Sequence, residues 1–211
     1  MPKLACFDCD STLSAIEGID ELARARGPEV YAQVEAMTRG AMDGRTPMES
    51  VFARRLEIIR PGRAEAQAVG RRYVEAVEPT AKATVAALVA RGWTVVIVSA
   101  GFRQAIQPLA AHLGIARVEA VDLVFGPDGA YRGFDAAFPA TRTGGKAEVV
   151  RRLKAEFSPE RTILVGDGVS DLEAKGEVDL FVGFGRYAAR DRVRREAGAF
   201  VTSLDQVLLL A

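Results

Sequence analysis

Lys3-Leu4-Ala5-Cys6-Phe7-Asp8-Cys9-Asp10-Ser11-Thr12 is a short apolar run that stops on an acidic pair. An uninterrupted run of this kind, bounded by polar residues, marks a strand buried on both faces. Trp93 to Val98 repeats the pattern, β-branched and unbroken, and stops at Ser99. Thr162 to Val165 stops at Gly166-Asp167, and Asp179 to Val182 offers a fourth strand. Helical patterns lie between them. Lys82 to Arg91 carries Val85, Leu88 and Val89 on one face and ends at Gly92; Lys146 to Phe157 does the same with Val149, Val150, Leu153 and Phe157. Strands alternating with helices of this length predict an α/β fold, a three-layer Rossmann-like parallel sheet with any site at the carboxyl ends of its strands. From Asp122 to Phe134, Leu-Val-Phe, Gly126-Pro127-Asp128-Gly129 and Ala-Tyr-Arg predict a β-hairpin hung off that core.

Residues 14 to 78 interrupt the alternation, with no convincing strand and four helical patterns separated by Gly27-Pro28, Gly44 to Pro47 and Pro61-Gly62. The expected organisation is therefore a discontinuous core, 1–13 and 79–211, with a helical-bundle cap inserted as 14–78. The chain has 211 residues, 49% of them hydrophobic, which is ample for a buried core. Twenty-eight basic residues balance twenty-eight acidic ones, so neither nucleic acid nor an anionic membrane surface is expected as a partner. No apolar stretch approaches the roughly 18 residues of a membrane span, and Met1-Pro2-Lys3 leads to an aspartate instead of a signal-peptide apolar region. With only two cysteines, a reducing cytoplasm is the expected compartment.

The chemistry-bearing residues cluster at the predicted strand ends. Asp8 and Asp10 fall on the same side of an extended chain, so two carboxylates would repel unless a cation or proton lies between them. Oxygen ligands of this type suit magnesium. Ser99-Ala100-Gly101 puts a hydroxyl and small residues at the end of the second strand, where backbone N–H groups can meet a phosphate. Gly144-Gly145-Lys146 opens a helix with an ammonium, and Gly166-Asp167-Gly168-Val169-Ser170-Asp171 adds two more carboxylates. Taken singly, Ser99 reads equally as a helix cap, Lys146 as a solvated charge, and Asp167 and Asp171 as a turn and a cap.

Together, and in this order, they resemble the four motifs of the haloacid dehalogenase (HAD) superfamily of aspartyl phosphatases, and over nearly the whole chain the phosphoserine phosphatase family within it. Asp8-Cys9-Asp10-Ser11-Thr12, Glu17-Gly18-Ile19-Asp20-Glu21-Leu22, Ala36-Met37-Thr38-Arg39-Gly40-Ala41-Met42 and Arg55-Leu56 carry that closer likeness. Ala100, Ser170 and Asp43 depart from it; Asp43 would add a charge near an anionic substrate. The resemblance implies a HAD-like core, magnesium held by Asp8, the Asp10 main-chain carbonyl and Asp167, and hydrolysis of O-phospho-L-serine in serine biosynthesis. It further implies Asp8 as nucleophile and Asp10 as acid and base, with Lys146 and Ser99 on the phosphate. Asp171 and Gly168 would support them, Met42, Ala100, Gly101 and Ser170 would border the substrate, Glu17 would meet its amino group and Arg55 its carboxylate. A monomer or homodimer is expected. The open alternatives are a phosphatase or phosphotransferase for another small phosphate monoester, and a non-enzymatic phospho-acceptor module of the response-regulator type.

The residues also speak for Arg55 directly. Met48, Phe52, Arg55 and Ile59 share one helical face, so Arg55 sits on an apolar stripe, where it needs a substrate anion, snorkels from the edge or pairs with a nearby glutamate. Cys6-x-x-Cys9 is not read as a metal or redox pair, because residues three apart on a strand end point to opposite faces and no second ligand pair exists. His112, the single histidine, is read as structural.

Overall fold

The structure, a computed structural model, describes residues 2–211; Met1, the first residue of the expected core segment, lies outside the described residues. The chain runs β1 (Lys3–Phe7), α1 (Gly18–Arg24), α2 (Pro28–Met42), α3 (Met48–Ile59), α4 (Arg63–Glu75), α5 (Ala81–Ala90), β2 (Trp93–Phe102), α6 (Arg103–Leu113) and β3 (Arg117–Val121). It continues with β4 (Leu123–Phe125), β5 (Tyr131–Phe134), α7 (Gly145–Phe157), β6 (Arg161–Gly166), α8 (Val169–Leu172), β7 (Leu180–Phe184), α9 (Asp191–Glu196) and β8 (Ala199–Val201). Six strands form one parallel sheet in the order β3-β2-β1-β6-β7-β8, and β4 and β5 pair as the separate antiparallel hairpin.

Central β1 shows why this sequence makes such a sheet. Ala5 and Phe7 join the apolar cluster on one face, Leu4 and Cys6 the cluster on the other, and all four are fully buried. Truncating Leu4 or Phe7 to alanine would cost ~2–5 kcal/mol from lost transfer energy and the cavity left behind. Cys6 and Cys9 fall in different clusters, both unpaired, and burial pushes the Cys6 thiol up to about 12. That supports reading them as core residues.

The two strands missing from the sequence reading are the sheet's edges. β3 interleaves Arg117 and Glu119 with apolar residues because one flank meets solvent, and β8 has only three residues. Charged or very short edges also protect a sheet from further pairing. The strand predicted to stop at Val98 continues to Phe102 through an irregularity between those residues, so Ser99, Ala100 and Gly101 belong to its last turn of register.

Helices α1 to α4 leave the sheet after β1 and return before β2 through a narrow neck. Ser14 bridges Val77 antiparallel, with Ala15 N–H donating to Ala76 O at 2.9 Å and Glu78 N–H to Leu13 O at 2.9 Å. The expected stripe on α3 is buried throughout, Met48, Phe52, Arg55 and Ile59 all being under 9% exposed. Phe52 packs 6.3 Å from Phe102 at the end of β2 and 5.2 Å from Phe134 in the hairpin. The hairpin also touches α4, where Arg63 N–H donates to Gly129 O at 2.9 Å. Among the described residues no helix is long and apolar enough to cross a membrane.

Candidate active site

The carboxyl ends of β1 and β2, the first turn of α7 and the start of α8 meet α2 and α3 around a cavity. Asp8, Asp10, Ser99, Ala100, Gly101, Lys146 and Ser170 line it on the sheet side; Glu17, Met42 and Arg55 line it from the helices opposite. Asp167, Gly168 and Asp171 do not line it; Asp171 connects to it through Lys146, and Asp167 and Asp171 through their cluster with Asp8.

The extended path expected after β1 is not what the chain takes. Cys9–Leu13 makes one wide turn closed by Ser14 N–H donating to Cys9 O at 3.0 Å, with Ser11 left-handed at φ 50° and Asp8 accepting from the Cys9 N–H at 2.7 Å at its start. The two carboxylates therefore have different surroundings. Asp8 Oδ2 lies 2.9 Å from Lys146 Nζ. Asp10 Oδ1 accepts from Gly18 N–H and from Tyr73 Oη, each at 2.6 Å, while its Oδ2 is 3.4 Å from Ser99 Oγ. Burial, with the charges of Glu17 and Asp8 adding to it, raises Asp10 to about 7 against the pull of those hydrogen bonds.

Lys146 is no solvated charge. It is 2% exposed, and its Nζ also lies 2.7 Å from Asp171 Oδ1. Burial alone would lower its pKa, but Asp171 and Asp8 outweigh that and hold it above the usual lysine range. Gly145 lets the helix start this close: a methyl there would fall 1.8 Å from the Pro139 carbonyl oxygen. Asp171 also caps its own turn, accepting from Gly168 N–H at 3.1 Å.

Asp8, Asp167 and Asp171 each bring a carboxylate oxygen within 4.8 Å of the others, all buried. Burial first, and mutual repulsion after it, raise Asp171 to about 7 and Asp167 well above the ordinary value. An all-oxygen, buried and mutually repelling set fits a hard divalent cation, which would return these groups to carboxylates. The Asp10 carboxylate is not part of the trio; its Oδ1 is engaged by Gly18 and Tyr73 instead. Asp167 is otherwise held by Thr12 Oγ1 at 3.3 Å and by an ion pair with Arg190.

Arg55 is 3% exposed, and among the described residues no carboxylate stands within ion-pair distance of it. Its Nη1 donates to Thr38 Oγ1 at 3.0 Å, Thr38 Oγ1 donates to Asp20 Oδ1 at 2.9 Å, and Arg55 Nε has no partner. Neither snorkelling nor pairing with a glutamate accounts for it. Glu17 sits at the start of α1 and accepts from Ser11 Oγ at 2.7 Å; burial raises its pKa. Ser170 Oγ is buried without a hydrogen-bond partner at the cavity wall. Asp43 corrects the expectation of a charge beside the substrate. It pairs with Arg45 at 2.8 Å and with Arg190 Nε at 3.6 Å, and it does not line the cavity.

Sequence reasoning passed over Tyr73 and Arg190, and it quoted Asp20 and Thr38 within the family likeness without pairing them. Tyr73 and Arg190 reach the site from 63 and 23 residues away along the chain, and nothing local distinguishes them. Thr38 had a signal, a hydroxyl on the inner face of a helix, but no partner visible in sequence.

A family profile of haloacid dehalogenase-like hydrolases matches residues 5–174. The chain is 38% identical over 205 residues to a phosphoserine phosphatase of Mus musculus, covering 96% of this chain and 90% of that one. It superposes on a phosphoserine phosphohydrolase-like protein from Francisella tularensis with a TM-score of 0.90 at 23% identity, over 99% of both chains. A phospho-aspartyl intermediate analogue of a phosphoserine phosphatase gives a TM-score of 0.83 at 25% identity, over 99% of this chain and 97% of that one.

Proposed function

Because the chain belongs to the haloacid dehalogenase-like hydrolases, we propose that this cavity hydrolyses O-phospho-L-serine to L-serine and phosphate, with 14–78 acting as its cap. The observation that carries the substrate is the pair of opposite charges facing the phosphate end: Glu17, and an Arg55 buried with an unused N–H. A zwitterionic amino acid satisfies both. The ammonium meets Glu17 and the carboxylate completes Arg55, while the phosphate lies toward Lys146, Ser99 and the backbone of Ala100 and Gly101.

Asp8 is the nucleophile. One of its oxygens bonds to phosphorus as the ester P–O bond breaks, and Asp10 gives its proton to the departing serine oxygen. Asp10, now a carboxylate, takes a proton from the water that attacks the aspartyl phosphate, releasing phosphate and restoring Asp8. A carboxyl pushed up to about 7 suits both halves of that exchange. Lys146 and Ser99 offset phosphoryl charge, and Met42 and Ser170 border the substrate beside Gly168. Magnesium, held by Asp8, Asp167 and the Asp10 main-chain carbonyl with Asp171 beside them, would supply Lewis-acid neutralisation of that charge. The cap excludes bulk water from the acyl phosphate.

We place the enzyme in the cytoplasm as a monomer or homodimer, with no nucleic-acid or membrane partner. A different small phosphate monoester remains the second reading, favoured by the alanine at 100 and separated by a substrate panel. Release of inorganic phosphate from O-phospho-L-serine, with magnesium and again in excess chelator, tests the whole. No release with magnesium refutes the substrate, and full release in chelator refutes the metal.

A further inference from the structure

Tyr73 belongs to α4, is completely buried, and yet places its hydroxyl 2.6 Å from an oxygen of Asp10. The Gly18 amide donates to that same oxygen, also at 2.6 Å. A carboxyl oxygen has two lone-pair sites, and here both of the Oδ1 sites are taken by donors, so a proton on Asp10 has only Oδ2 to occupy. The structure keeps the space before Oδ2 clear: a methyl built on Gly101 would lie 2.8 Å from it. The Tyr73 contact is equally built. A methyl on Gly18 would fall 2.0 Å from the Tyr73 hydroxyl oxygen, so only glycine at the first position of α1 lets the hydroxyl through.

We propose that Tyr73 is a positioning residue of the acid–base step: with the Gly18 amide it claims Asp10 Oδ1 and so fixes the transferable proton on Oδ2, the oxygen facing Ser99. This rests on the role given to Asp10 above. As the Asp8 oxygen bonds to phosphorus and the ester P–O bond breaks, the Oδ2 proton moves to the departing oxygen. The charge left on the Asp10 carboxylate is held by the two donors already in place on Oδ1. Without the Tyr73 hydroxyl that charge loses one of its two donors as it forms, and Oδ1 regains a lone pair on which the proton is turned away from the substrate.

The test exploits the leaving group. An alkoxide such as that of serine needs the proton as it departs, whereas p-nitrophenolate leaves as a stable anion. kcat/KM covers only the steps through leaving-group release, so the later hydrolysis of the aspartyl phosphate does not enter. Tyr73→Phe is expected to lower kcat/KM for O-phospho-L-serine about tenfold or more, within the usual reach of acid catalysis, and for p-nitrophenyl phosphate by no more than about twofold. Gly18→Ala, which displaces the hydroxyl without removing it, should give the same split. In an Asp10→Asn background Tyr73→Phe should add nothing. Equal losses on both substrates, an unchanged rate with O-phospho-L-serine, or a further loss in the Asp10→Asn background would each overturn the proposal and leave Tyr73 a packing residue. If the unsubstituted enzyme does not turn over O-phospho-L-serine, the substrate assignment fails by itself, and β-glycerophosphate against p-nitrophenyl phosphate still decides the role of Tyr73.

Discussion

Replacing Arg55 by alanine separates recognition of the amino acid from the chemistry at phosphorus. An exposed ion pair is worth ~0–1 kcal/mol, but Arg55 is 3% exposed, lies 5.6 Å from the Phe52 ring and keeps an unpartnered Nε, which places a bound carboxylate in the desolvated regime. Truncating one partner of such a pair costs ~2–5 kcal/mol, much of it from stranding the other charge. Taking ~3–4 kcal/mol, kcat/KM for O-phospho-L-serine should fall ~10² to 10³-fold. Phosphoethanolamine and aryl phosphates carry no carboxylate to strand. They still reach Asp8 and Lys146, so their losses should be several-fold at most. Arg55→Lys should recover part of the activity, because an ammonium can meet the carboxylate without reproducing the planar fork and cannot replace the bond to Thr38. Steady-state kinetics on the three substrates, beside melting curves for each variant, provide the measurement. A fall by the same factor on all three would make Arg55 a structural member of α3 and remove the physical argument for a carboxylate-bearing substrate.

Two further outcomes are expected. Asp8→Asn should abolish turnover and covalent labelling by phosphate, whereas Asp10→Asn should slow turnover and still permit label on Asp8; label mapped to any other residue would contradict the assignment. In chelator the protein should lose stability as pH rises. Asp10 and Asp171 are pushed up to about 7 and Asp20 to about 6, so the folded chain holds protons that the unfolded chain releases near pH ~4. Their contribution is therefore complete below about pH 4 and lost through about pH 6 to 7. Tm should drop between about pH 4 and 7 and be restored at the upper end by magnesium. A Tm that climbs with pH in chelator would show Asp10, Asp20 and Asp171 to be better solvated than their burial implies.

The sheet was legible because parallel strands buried on both faces write themselves as unbroken apolar runs, as at Lys3–Phe7 and Trp93–Val98. Edge strands lack that signature: Arg117–Val121 alternates and Ala199–Val201 is too short to register. The helical insert was readable from its breakers: Gly27 and Pro61-Gly62 fall between helices, and Pro28 opens α2, where its fixed φ suits the first turn. At the site, Asp8, Lys146, Asp167 and Asp171 could be found because each stands at a strand end or helix start, where topology alone brings residues together. Arg55 was found by its misplacement on an apolar stripe. Tyr73 gave no such sign, since an aromatic on the inner face of a helix looks like core, and its polar end matters only once α4 is laid across the Asp10 turn. Asp43 misled for the opposite reason: it follows Met42, which lines the cavity, but Asp43 itself stands outside it and pairs with Arg190 and Arg45.

The neck at Ser14 and Val77 has a consequence for how this architecture can change. Because the two connecting segments are zipped side by side, the ends of the insert are already held together where they join the sheet. To the core, everything from 14 to 78 is then topologically one long surface loop, whose closure cost grows only slowly with its length. Half of the binding cavity can thus be shortened, exchanged or rebuilt without altering the order of a single strand. Asp8 and Asp10, to which the proposed chemistry falls, stay on the sheet side of that junction, while Glu17, Met42 and Arg55 line the cavity from the replaceable side.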